Sequence, residues 1–316
     1  MTYNDLLLPG LIGSNPLGAM AAFGLLRVCS EIQTLAGACL HWTWEQDWRA
    51  VLRTPESISR DELIEHLVQH QKERSMDAFN WSDDIKIAPK DYRVQMLNHV
   101  TNATLHNRLN ADYFAAYGSE IITDRSKGNV KPTAWHMTAG RQKFLKLISK
   151  DLSKSMWSDE QKKAPRDLEK MLKSEAKKTA AAYNEALFGP WMCEDNVNSL
   201  GWDPSAKRLH ALRHIAPTKD VFHCVRAAVW LAVEALPLYP TAAVSGKLQT
   251  TGFMATKPMA FVWPIWKPPI GLDTLRTLIM TSDNRASLLK RGVTAIYRSE
   301  RAESNQGAAF LRPSAE

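Results

Sequence analysis

LPGLIGSNPLGAMAAFGLLR, residues 8–27, is the run from which the architecture follows. Asn15 is a helix-capping residue, and Pro16 beside it suits a first helical turn, where the missing amide hydrogen has no partner to lose. From Leu17 to Val28 the only polar side chain is Arg27, so the helix has no face to show to water. Gly18, Ala19, Ala21, Ala22 and Gly24 allow neighbouring backbones to come close, and the expectation is a central, buried helix. A membrane span or export signal fits poorly: the apolar run falls short of the roughly 20 residues a bilayer core requires, and no basic flank precedes it. The glycines at 10, 13, 18 and 24 have the wrong spacing for a dinucleotide fingerprint, and Gly246-Lys247-Leu248 is not a phosphate loop. They read as turn and close-packing glycines.

Around this helix the pattern predicts an α+β fold, predominantly helical, with short β-strands and hairpins. LHWTW and DWRAVLRT form a hairpin about Glu45 and Gln46, since Trp, Thr and Val suit a half-buried pleat. Ser59-Arg60-Asp61-Glu62 opens a helix to about Arg74, and helical spacing recurs over 92–100 and 107–117, with Pro89 marking a start. An extended Trp135–Met137 passes through Thr138-Ala139-Gly140 into a helix that buries Phe144, Leu145 and Ile148. Pro165 separates it from a second helix that runs through Lys170 to about Leu187 and stops at Gly189-Pro190. Further on come a loop over 201–220, an apolar helix from about Val221 to Leu236, a buried strand at 261–263 and a helix carrying Leu272, Leu275 and Ile279. The tail after Arg298 reads as polar and loose. A boundary near Gly189 divides the chain into residues 1–189 and 190–316, with one continuous domain as the alternative.

The 316 residues are 45% hydrophobic and 23% charged, an ordinary globular composition. Cys29, Cys39, Cys193 and Cys224 form no CxxC pair, and reduced cysteines in the cytoplasm are the expectation. The net charge of +7 favours a polyanionic partner, although many proteins of this charge bind no nucleic acid. Its distribution is more telling: residues 141–178 hold 12 Lys or Arg against 6 Asp or Glu, an excess of 6. Within this basic helical segment, 141–187, we expect Arg141, Lys143, Lys146 and Lys150 to line a phosphate-contacting face, with Arg208 and Arg213 as additions. Trp135 or Trp157 could stack on bases. The alternative is a solvated lysine-rich surface.

Other chemistry lacks its full complement of residues. His66/His70 and His210/His214 have metal-binding spacing without a third ligand nearby, so no metal and no cofactor is expected. Cys224 reads as a buried thiol, and no nucleophile elbow occurs. No catalytic constellation emerges. Trp263 and Trp266, in the proline-stiffened WPIWKPP, either anchor a partner protein or close the core.

NPLGAMAAFGLLR, the GWDPSAKRLHALR to ALPLYP segment and TGFMATKPMAFVWPIWKPPIGLDTLRTLI together resemble a family of bacterial proteins of type I CRISPR loci, the type I-G (formerly I-U) signature subunits. The likeness covers about a third of the chain. It implies a non-catalytic subunit of a crRNA-guided antiviral surveillance complex, in contact with crRNA or target DNA and with other effector subunits, away from membranes. The alternatives are a stand-alone small-molecule enzyme or a structural partner-binding protein.

Overall fold

The computed structural model describes residues 4–104, 107–140, 142–152, 165–205, 223–281, 285–304 and 307–316, and these form an α+β architecture. Strand β1 (Asn4–Ile12) leads into helix α1 (Pro16–Glu31), and hairpin β2 (Cys39–Glu45) and β3 (Asp47–Thr54) follows. Next come helices α2 (Arg60–Glu73), α3 (Asp77–Asn80), α4 (Pro89–Thr101) and α5 (Leu109–Tyr117), then hairpin β4 (Gly118–Thr123) and β5 (Val130–Pro132). Helix α6 (Phe144–Lys146) runs into a π-helical stretch, Leu147–Leu152, and α7 (Pro165–Phe188) and α8 (Arg226–Glu234) follow. The last third holds hairpin β6 (Thr241–Val244) and β7 (Lys247–Thr250), strands β8 (Phe253–Met254) and β9 (Ala260–Trp266), and helices α9 (Leu272–Met280) and α10 (Arg285–Leu289). Strands β10 (Val293–Ser304), β11 (Gly307–Phe310) and β12 (Ser314–Ala315) end the chain.

Asn15 caps α1 with its side-chain oxygen, which accepts from the amides of Leu17 at 2.8 Å and Gly18 at 3.3 Å, and residues Pro16 to Cys29 are all buried. The neighbour that covers it is α8. At Gly24 a Cβ would lie 1.8 Å from the Leu231 carbonyl oxygen, so the two helices touch backbone to backbone there. Gly10 does the same between β1 and α7, where a Cβ would meet the Ala186 carbonyl at 2.4 Å. Two antiparallel sheets flank the helices. One has the order β1-β3-β2, the other β11-β10-β9-β8 with β12 also on β10. An isolated bridge, Leu40 to Ile270, stitches the first sheet to the chain just after β9.

Three expectations change. The tail after Arg298 is ordered: β10 continues through it, and Gly307 to Phe310 are buried because Phe310 stacks on Phe253 and Phe261. The helix expected from Val221 begins at Arg226. Cys224 is extended in a bridge to Asp195, whose carboxylate accepts the Arg226 amide at 3.0 Å and supplies a cap from far along the chain. Strand content also exceeds short hairpins, since β10 alone has 12 residues. One hydrophobic cluster runs from Leu8 to Phe310, so the point near Gly189 does not divide the core.

Candidate nucleic-acid interface

Helix α7 owes its orientation to an apolar stripe. Thr179, Ala182, Tyr183, Ala186 and Leu187 are buried at three- and four-residue spacing, against β1, α2 and α8. Lys170, Lys173, Lys177 and Lys178 are exposed, and the first three recur at the same spacing. Lys178 pairs with Glu175 at 3.2 Å. The line from Lys170 to Lys177 extends for about 10 Å of helix rise, at 1.5 Å per residue. The sequence expectation names lysines of the preceding segment and not these of α7, although the same three- and four-residue periodicity marks them.

In that preceding segment Phe144, Leu145, Ile148 and Leu152 are buried, while Lys143, Lys146 and Lys150 face solvent. Acidic neighbours brought from elsewhere in the chain meet two of the three. The Lys146 Nζ lies 3.6 Å from Asp83, its amide donates to the Asp83 carbonyl, and the Lys143 Nζ lies 4.0 Å from Asp84. A phosphate at Lys143 or Lys146 competes with these carboxylates, which weakens the face expected there. Arg141, Arg208 and Arg213 lie outside the described residues, as do Trp157 and the His210/His214 pair.

The tryptophans are core residues. Trp263 and Trp266 are 0% and 2% exposed, and their indole nitrogens donate to the carbonyls of Gly13 and Leu40, both at 2.8 Å. Trp266 stacks on Phe23 and meets Trp42 edge-on, so the partner-anchoring expectation is corrected: both rings seal the contact between β9, α1 and the first sheet. Trp135 is likewise enclosed, among Trp202, Tyr239, Phe253, Phe261 and Phe310, and offers no face to a base.

Two buried polar groupings had no sequence signal. Glu234, fully buried at the end of α8, accepts from Arg27 Nη2, from Arg74 Nε at 3.1 Å and from the Tyr113 hydroxyl at 3.1 Å. Burial alone would raise its pKa, but Arg74 and then Arg27 outweigh that and hold it at about 2. Glu31 extends the network from Arg27 at 2.7 Å to His70 at 2.9 Å, so His70 is taken up by a hydrogen bond to a carboxylate here, while His66 meets the Thr34 hydroxyl. The second grouping is His136, whose Nε2 lies 2.7 Å from Asp84. Burial drives the His136 pKa down against the pull of that carboxylate, and Asp84 is itself held low because the His136 contact overcomes its own burial. A neutral ring donating Nε2–H to an ionised carboxylate satisfies both directions. With its side chain 1% exposed and its ring against Phe144, His136 fastens the 82–87 loop beneath the lysine segment.

Cys224 is buried and its thiol pushed well up by that burial, the inert reading of a buried cysteine. No group of three or more metal-ligating side chains occurs among the described residues, and no described helix is long and apolar enough to cross a membrane. No protein-family model, curated protein or solved structure matches the chain.

Proposed function

We propose that this chain is a non-catalytic, nucleic-acid-binding subunit of a CRISPR RNA-guided effector complex in the cytoplasm, holding the phosphate backbone of crRNA or target DNA along the outer face of α7. The observation that carries the reading is the exposed line of Lys170, Lys173 and Lys177, opposite a stripe that packs the helix onto the body. Ammonium groups at this spacing neutralise successive phosphates and release their counterions, and binding of this kind is independent of sequence. Lys150 adds an exposed ammonium on the segment before α7. The three stretches similar to type I-G signature subunits supply the context in which base pairing reads sequence and the protein holds backbone.

The test is a salt titration. Anisotropy of labelled single-stranded RNA and duplex DNA should give a log–log slope that flattens by about two to three units in a Lys170→Glu, Lys173→Glu, Lys177→Glu variant, at about 0.7 to 0.9 per phosphate contact. An unchanged slope removes α7 from the interface. Wild-type protein that binds neither ligand, alone or co-purified from its host with short RNAs, removes the nucleic-acid role.

A further inference from the structure

A groove of about 510 Å³ lies on the outer face of the C-terminal sheet, where β7, β8 and the end of α9 meet. Its apolar lining comes from Leu248, Met254, Met259, Val262, Ile279 and Met280, and no described lining residue is charged. The sheet face explains why it is open. Val262, Leu288, Val293 and Ile296 form a small cluster with Met254 and Leu278 packed against it, so α9 and α10 cover that end, while Val262 and the half-buried Met254 also line the groove. Met280 is 66% exposed beside it. Methionine-rich floors of this kind adapt to aliphatic side chains of varied shape.

The rim is positive. Lys247 and Lys257 are exposed next to the lining residues Leu248 and Thr256. Arg298 stands directly across from Val262 on β10, on the same face of the sheet. Its guanidinium is poorly served: Nη2 lies 3.5 Å from the Thr256 hydroxyl and 3.4 Å from Glu300, and Nε is buried with no partner. The lining sets methionines beside the polar side chains of Gln249, Thr250, Thr251 and Thr256, and Lys247, Lys257 and Arg298 stand next to it, a combination that favours an occupant with aliphatic groups inward and carboxylates at the edge. A nucleic acid would satisfy the cations and leave the methionines bare.

We infer that this groove docks an acidic amphipathic segment of a partner protein, with aliphatic side chains on Met254, Met259 and Met280 and a carboxylate on Arg298. The inference does not rest on the α7 interface and can stand or fall without it.

The probe is a fluorescein-labelled peptide of about twelve residues with leucine and methionine on one helical face and glutamate on the other, long enough for groove docking of a helix. A lysine-for-glutamate version and a scrambled acidic version serve as controls, all with full-length protein. The acidic amphipathic peptide should bind at least about tenfold more tightly than either control. Methionine-methyl NMR should show its shifts at Met254, Met259 and Met280. Lys257→Glu and Met280→Asp change exposed side chains, so the fold survives, and each should weaken binding by about threefold or more. No binding, equal affinity for the three peptides, shifts confined to methionines outside the groove, or indifference to both substitutions overturns the proposal.

Discussion

Glu234 shows how much one buried carboxylate can hold. It joins α1 through Arg27, the end of α2 through Arg74 and α5 through Tyr113, so its removal strands two guanidiniums in the interior. Glu234→Ala should cost about 3–5 kcal/mol, read as a fall in the urea midpoint. The pH dependence follows from a pKa held at about 2 against an ordinary 4.5. A depressed carboxylate stabilises the fold fully above its unfolded pKa, and this stability drains away as pH falls through 4.5 towards 2. Wild-type stability should therefore drop more steeply than that of Glu234→Gln between pH 6 and pH 3; parallel profiles would show that the carboxylate is not ionised in the fold. Trp266 is the second single-residue test. With its ring between Phe23 and Trp42 and its nitrogen bonded to Leu40, Trp266→Ala should lose about 3–5 kcal/mol by circular dichroism melts in urea. A variant that keeps its midpoint would return this ring to the surface.

At the scale of elements, the contact between α1 and α8 depends on a hydrogen where other residues carry a carbon. Because a Cβ at Gly24 would sit 1.8 Å from the carbonyl oxygen and 2.8 Å from the carbonyl carbon of Leu231 in α8, no rotamer change relieves it, and the helices must move apart. Gly24→Ala should destabilise by about 3 kcal/mol, towards the upper end for overpacking, even though alanine is the better helix former. A midpoint equal to or above wild type would mean that the helices separate without loss. The lysine segment illustrates the opposite case, in which helical spacing is right and its consequence is not. Lys143 and Lys146 do face outward, but the 82–87 loop, fastened by His136, carries Asp83 and Asp84 up to them.

Across the whole molecule, the core does not respect the change of character near Gly189. Helix α1 packs on α8, β1 on α7, and the bridge from Leu40 to Ile270 ties β2 to the chain beyond β9. Fragments 1–189 and 190–316, produced separately, should each lack cooperative unfolding, since each leaves one side of these contacts exposed. Mixing them should restore some of the transition if the interface is strong enough to assemble in trans. A sharp, full-amplitude melt from either fragment alone would establish an independent domain.

What was legible in the sequence shares one property: its determinants lie within about four residues of one another. Asn15 and Pro16 start α1, Ser59 and Glu62 form the capping box of α2, and the stripe of α7 places its lysines on the far side. The glycines of the opening run likewise announced close packing, without naming the neighbour. Tertiary structure alone decided the partners. Arg27 meets Glu234 across 207 positions and Trp263 meets Gly13 across 250, distances over which no periodicity reports. The same is true of the carboxylates that reach Lys143 and Lys146 and of Phe310, which turns a polar tail into a buried strand. Local spacing selects which face of an element is polar, whereas the charge that face presents depends on side chains that only folding brings beside it.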